Sequence, residues 1–599
     1  GMLVDNAIVV TDNAQIGIKR GKSRYQSLIE GAIKPQWALL GATFIAICSF
    51  LPLYLAPASV AEIVKPLFVV LAVSLGLSWI LALCQTTTFG NFILKEAVPG
   101  GAMKDPYDTK LYHKFEKFLT LLIKRRFVTL TTVFVTLVLS LVIMAVMPQS
   151  FFPKMNKPYF RADLVFPEGF SIHAVDQDVM KVEDYLKNHE KVKSYSVTLG
   201  GTPLRYYLAS SSFGPKSNYA NVMVETKDPE DAAEVEQQFY EHMTQNFPNI
   251  ITRSALFALS PVPEAAIEIG FIGENPDTLT ALVERAKKIA RQCDMVTDIR
   301  SNWGDKVPVW KPMFSQQKGL RLGITRQQVA NSFRTATNGL PLGEYREGDV
   351  SLPILLKDED VEKMNLNDVK SVPVFSTKGN SVKVEQVIDN FALGYDYNVV
   401  RRFNRERCMM MQCEPKRGAN TMAAFKQVLT AVQEQMQLPE GYKMKYFGEQ
   451  ETQDVSNAAL AKNIPLTFLL IYVVLLFLFP SNYRKPVLIM LMLPLVFIGV
   501  VWGLLLFGKS LDFFAILGLL GLIGMNIKNA IVLVDEIGLQ LKDGKGAVPA
   551  VVEATKTRIV PVTMASGTTI LGMLPLLGDA MFAGMAATIM GGLFVSTVL

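Results

Sequence analysis

The stretch Gly524 to Asp535, GMNIKNAIVLVD, repeats the opening of the chain, GMLVDNAIVVTD, 523 positions earlier and without a gap. Seven of the first thirteen paired positions are identical, and Asp5 falls on Lys528. The register persists for some fifty residues, setting Lys19, Gly21 and Lys22 against Lys542, Gly544 and Lys545, then Leu51-Pro52-Leu53 against Leu574-Pro575-Leu576. Both copies are apolar enough to lie within a bilayer, so two related helices carry opposite charges at one depth. An isolated charge at mid-membrane costs roughly 2.5–3.5 kcal/mol, and such residues face one another or a wet cavity. Helices related by an internal repeat put their shared site at the repeat interface. Asp5 and Lys528 are therefore expected to meet. The pair either fixes helix register statically or titrates, protonation of the carboxylate releasing the ammonium.

Half of the 599 residues are apolar, and the net charge of +6 is modest. No basic stripe suggests nucleic acid. The five cysteines lack CxxC spacing, and the four histidines lie outside the apolar runs with no ligand pattern, so neither a metal centre nor a cofactor is indicated. No GxSxG or HExxH motif supports an enzyme. Lys and Arg gather at 14–34, 95–126, 484–485 and 542–558, whereas 57–64, 507–511 and 578–582 carry Lys509 alone. By the positive-inside rule the first set is cytoplasmic, which leaves residues 148–460 on the far side.

Spans are expected near Gln36–Ala56, Pro66–Gln85, Phe127–Met147, Ile464–Phe479, Val487–Leu506, Phe513–Gly538, Ile559–Leu577 and Ala583–Leu599. An amphipathic, lysine-bearing helix at about 109–126 is expected on the membrane surface. The first thirteen residues reach only about 20 Å of a core about 30 Å thick. The chain is thus expected to be a piece of a longer protein, cut inside a membrane helix at both ends.

The insert alternates strands with amphipathic helices. One set runs Tyr159–Phe166, Ser171–Asn188, Val192–Leu199, Tyr219–Glu225, Pro229–Asn246 and Thr252–Leu259. A second begins at Ala266–Ile272, Asp277–Gln292 and Val296–Asn302 and resumes at Arg407–Glu414, Ala419–Met436 and Lys443–Phe447. Each reads as split βαβ units, with a sheet on one side and helices on the other. Within the intervening 309–405, Thr335–Leu356 is expected to form a long hairpin, with Asn338-Gly339 and Glu347-Gly348 supplying turn chemistry.

The motifs GMLVDNAIVV at 1–10, GLIGMNIKNAIVLVDE at 521–536 and TKTRIVPVTMASGTTILGMLPL at 555–576, with the order of spans and the place of the insert, resemble the resistance-nodulation-division (RND) family. The likeness is to the inner-membrane permease of bacterial tripartite efflux pumps. It implies an α-helical polytopic membrane protein with a large α+β periplasmic insert. Residues 1–147 would be spans four to seven, 148–260 a first porter subdomain, and 261–308 with 406–455 a second. Residues 309–405 would be a docking subdomain whose hairpin reaches a neighbouring protomer, and 456–599 spans eight to twelve. The implied partners are a homotrimer, a periplasmic adaptor, an outer-membrane channel, protons, the lipid bilayer, and small hydrophobic or amphiphilic substrates exported from the periplasm or inner membrane. The family's proton relay maps onto Asp5, Lys528 and Arg558; its second acid is Asn6 here, leaving one carboxylate in that motif. On residues alone, Arg558 beside Lys556 reads equally as a loop charge.

Drug-pocket positions of the family map onto Tyr195 and Met223, the latter replacing an aromatic. Tyr206, Tyr207 and Phe213 either add to such a pocket or pack a sheet face. A heavy-metal permease is the rival, supported by Cys408-Met409-Met410-Met411 and Cys413, whose thioethers suit Cu(I) and Ag(I) but also fill cores. An RND-type protein-export or lipid transporter is a further alternative.

Overall fold

The computed structural model describes residues 3–55, 59–95, 109–150, 156–205, 215–257, 264–359, 368–376, 379–480 and 482–598. Its N-terminal helices are α1 (Asp5–Lys19), α2 (Arg24–Ile33), α3 (Gln36–Ser49), α4 (Leu51–Leu55), α5 (Ser59–Ile93), α6 (Lys110–Lys124) and α7 (Arg126–Val146). α5 runs well past Gln85, where its apolar span was expected to end. The hydroxyls of Thr87 and Thr88 donate back to the carbonyls of Leu83 and Cys84 at 2.7 and 2.8 Å, which lets polar residues continue the helix.

The insert's first lobe comprises β1 (Tyr159–Val165), α8 (Ile172–Lys187), β2 (Val192–Leu199), β3 (Tyr219–Thr226), α9 (Ala232–Asn246) and β4 (Ile251–Leu256). Its sheet order is β2-β3-β1-β4, so β3 separates the two strands joined by α8. Phe160, Ala162, Leu164, Val222 and Val224 alternate toward Val175, Val179, Val235 and Phe239 of the covering helices. The second lobe opens with β5 (Ile267–Ile272), α10 (Pro276–Ala290) and β6 (Val296–Ser301).

A separate compact unit, Ser301–Arg402, overlaps the segment set apart in sequence. It contains β7 (Lys306–Phe314), α11 (Gln316–Leu322), α12 (Arg326–Thr335), β8 (Leu340–Glu347), β9 (Val350–Leu356), β10 (Pro373–Phe375), β11 (Ser381–Lys383) and β12 (Ile388–Tyr397). The hairpin is shorter than expected. Thr335 ends α12, and Gly339, at φ 94°, turns the chain out of that helix; Gly348, at φ 56°, makes the hairpin turn.

The chain then passes through β13 (Arg402–Phe403) and completes the second lobe with β14 (Glu406–Pro415), α13 (Thr421–Gln435) and β15 (Lys443–Gly448). β5 lies between β14 and β15, and β6 pairs β14, the same order as in the first lobe. The C-terminal helices are α14 (Glu449–Leu478), α15 (Arg484–Met492), α16 (Val496–Leu506), α17 (Phe513–Lys542), α18 (Ala547–Met573) and α19 (Ala583–Val598). Among the described residues, seven helical segments are long and apolar enough to cross a membrane, and Ala583–Val598 is a shorter apolar helix.

The repeat seen in sequence is a repeat in space. α1 ends at Lys19 and α17 at Lys542; Gly21 and Gly544, at φ 84° and 82°, make the same left-handed turn; α2 and α18 then begin at equivalent residues. The copies differ between the second and third helices. Pro35 caps a break between α2 and α3, whereas its equivalent, Arg558, lies within the unbroken α18.

Candidate functional site: a buried ion pair and an arginine clasp

Near the start of α1, Asp5 and Asn6 are buried. On α17, Lys528 lies in a helix whose face is closely packed on α3. There Gly524 has no side chain because a Cβ would meet the Ser49 hydroxyl at 2.8 Å and the Ala46 backbone at 3.0 Å. Lys528 Nζ stands 3.6 Å from Asp5 Oδ2, with the two side chains only 7% and 10% exposed. The expected meeting of the two copies is therefore present. Among the described residues, neither Asp5 Oδ1 nor Asn6 Oδ1 has a hydrogen-bond partner, while Asn6 Nδ2 donates weakly to Thr43 Oγ1 at 3.4 Å. A buried carboxylate with one loose partner is poorly compensated.

Arg558 is not in this layer. Its guanidinium donates to Glu536 Oε2 at 2.7 Å and to Asn13 Oδ1 at 3.1 Å. Asn13 is eight residues beyond Asp5, about 12 Å along the helix. The repeat register equates Asn13 with Glu536, so one arginine spans the symmetry-related positions one layer below the charge pair. Among the described residues, its Nε and Asp12 Oδ2 are buried without hydrogen-bond partners. Sequence reading of the relay left out Glu536; the signal that finds it is that equivalence with Asn13.

The two pocket residues are separated. Tyr195 is in register with Val224 and packs against the first lobe's core, whereas Met223 is in register with Ser196 on the opposite face. That face is polar: Asp163 accepts from Tyr219 at 2.6 Å and Asn221 at 2.7 Å. Tyr206, Tyr207 and Phe213 lie outside the described residues. Met409, Met411 and Cys413 are at most 1% exposed and pair with Phe271, Ile269 and Ile267 in the core of the second lobe. As placed, they are filler beyond the reach of a passing ion.

Polar contacts join the two lobes. Arg253 of β4 lies 3.7 Å from Asp298 of β6, which adopts a positive φ of 49°. Arg417 pairs with Glu236 of α9, donates to Ser254 Oγ at 2.9 Å, and stacks 4.0 Å over Tyr240. In the second lobe, burial pushes the Glu268 carboxyl up to about 7, against an opposing hydrogen bond from Gln412 at 2.8 Å. Burial also raises Glu414, with Arg300 opposing.

Among the described residues, the long apolar helices, the two-lobed insert and the ionisable pair between repeats mark a polytopic membrane protein. A model of the AcrB/AcrD/AcrF family matches residues 1–599, and the chain belongs to that family of resistance-nodulation-division permeases. Over its whole length it is 22% identical to the swarming motility protein SwrC of Bacillus subtilis (strain 168) and 23% identical to the multidrug export protein AcrF of Escherichia coli (strain K12). It spans 57% and 59% of those proteins. Over 56% of the chain it is 26% identical to the nickel and cobalt resistance protein CnrA of Cupriavidus metallidurans, covering 32% of it. A crystal structure of a heavy metal efflux pump superposes with a TM-score of 0.79 at 18% identity, covering all of this chain and 59% of that one. That likeness speaks to the fold.

Proposed function

We propose that this chain is the proton-coupling and substrate-handling part of a proton-driven efflux permease in the bacterial inner membrane. The observation that carries the reading is the Asp5–Lys528 pair, buried and loosely held between two copies of one helix. Asp5 takes a proton from the outer, periplasmic side, and the attraction to Lys528 is lost. The freed ammonium then seeks new acceptors, and the helices that carry it shift. A charge moved through 100 mV supplies about 2.3 kcal/mol, to which the pH gradient adds. The helix movement reaches the insert through short connections. Ser150 N donates to Leu511 O at 3.2 Å just before α17, and Asn420, which caps α13, donates to Gln149 O at 2.8 Å. Opening and closing of the two lobes then exposes and seals the polar face bearing Met223. In this reading the working unit is a homotrimer with an adaptor and an outer-membrane channel, and the substrates are hydrophobic or amphiphilic compounds.

The decisive experiment places Asp5→Asn in the full-length protein and follows dye export with proton uptake. Loss of both, with the protein folded, is the expected result; export still in step with protons would sink the reading. Growth of a pump-deficient strain on dyes and on nickel, cobalt or copper salts separates drug from metal substrates. The buried placement of Met409 and Met411 favours the former.

A further inference from the structure

We propose that α6 is a docking surface for the headgroups of anionic phospholipids. At 100° per residue, Lys110, Lys114, Lys117 and Lys124 fall within an arc of roughly 80° on one side of the helix. All four are exposed, as are Arg125 and Arg126 at the corner leading into α7. The helix has one acid, Glu116, and it does not neutralise the stripe. It lies on another side and pairs with Lys556 of α18 at 2.6 Å. Phe118 and Leu121 border or interrupt the stripe and are 56% and 53% exposed. Water suits the lysines and not these two; the boundary between headgroups and acyl chains suits both.

The position fits. Thr129 Oγ1 donates to Leu122 O at 3.1 Å, fixing the end of α6 against the start of α7, an apolar span of 21 residues. The stripe is thereby held at the edge of the bilayer, where clustered Lys and Arg attract anionic lipid. Lys556 is two residues from Arg558, so headgroups held by α6 bear on the helix that carries the clasp. The proposal depends on α7 crossing the membrane and is independent of any transport activity.

The test uses the full-length protein in neutral detergent micelles, with thermal unfolding followed as phosphatidylglycerol or phosphatidylcholine is added. Phosphatidylglycerol is expected to stabilise at lower mole fraction than phosphatidylcholine. Combining Lys110→Gln, Lys114→Gln, Lys117→Gln and Lys124→Gln should raise the amount required at least tenfold, since each basic group near an anionic surface contributes about fivefold. Equal protection by the two lipids, an unchanged requirement in the quadruple variant, or the same protection from inorganic phosphate alone would overturn the proposal. The unaltered protein gives an independent check: 500 mM salt should erase most of the preference, and a preference untouched by salt would equally overturn it.

Discussion

Asp5 keeps one carboxylate oxygen without a partner among the described residues and holds the other 3.6 Å from Lys528, a spacing at which neither charge is well compensated. Removing one member leaves the other buried and alone. Lys528→Met is therefore expected to destabilise the protein by about 3–5 kcal/mol, while Asp5→Asn with Lys528→Met costs far less, because no buried charge remains. Denaturant titration in micelles checks this, and a double variant as damaged as the single one would show that packing rather than charge sets the cost. Both forms should lose proton coupling, which separates stability from function. Glu268 makes the other residue-level prediction. Its folded value, about 7, lies above its ordinary 4.5, so the folded state binds the proton more tightly. Stability from this group is full below about pH 4.5 and is lost as pH rises toward 7, by about 3 kcal/mol in all. Hydrogen exchange in β5 should accelerate across that window and become flat in Glu268→Gln; a pH-independent wild type would refute it.

At the scale of helices, the repeat was legible because identical side chains recur in one register and opposite charges at one position reveal themselves without any structure. The layer below was not. Arg558 occupies the place of Pro35, where the first copy breaks, and lies in α18, which is unbroken there and through Pro561; its guanidinium reaches both Asn13 and Glu536. Continuity past a proline is decided by neighbouring helices, not by the local sequence. The pocket residues show the same limit in strands: Tyr195 and Met223 lie on opposite faces because of pairing register, which spacing along the chain does not reveal. Glu536→Gln should weaken the clasp by about 1.5–3 kcal/mol, the usual worth of a hydrogen bond to a charged group. It should also slow export while leaving Asp5 and Lys528 in place. Thermal unfolding together with single-turnover export measures both, and a variant indistinguishable from wild type in each would make the clasp incidental.

For the molecule as a permease, the alternation of strands and helices made both lobes readable, but the contacts between them were out of reach because they join residues distant in sequence, 45 positions apart for Arg253 and Asp298 and 163 for Ser254 and Arg417. These contacts oppose any movement of one lobe against the other. Arg417 is about one-third exposed and Glu236 nearly buried, so their coupling is worth about 1 kcal/mol after screening, more than a surface pair and less than a sealed one. Asp298 adds strain, since its positive φ is adopted beside two arginines, Arg253 and Arg300. If the lobes open during export, both bridges must break together, and the closed state should be the one they favour. Spin labels on α8 and α13 of the full-length protein are expected to report one dominant separation. Arg417→Ala with Arg253→Ala should broaden it and move population toward a longer distance by roughly tenfold or more, as two such couplings allow. A distance distribution unchanged by both substitutions would show that the bridges decorate a rigid insert, and the alternating movement would then have to lie elsewhere.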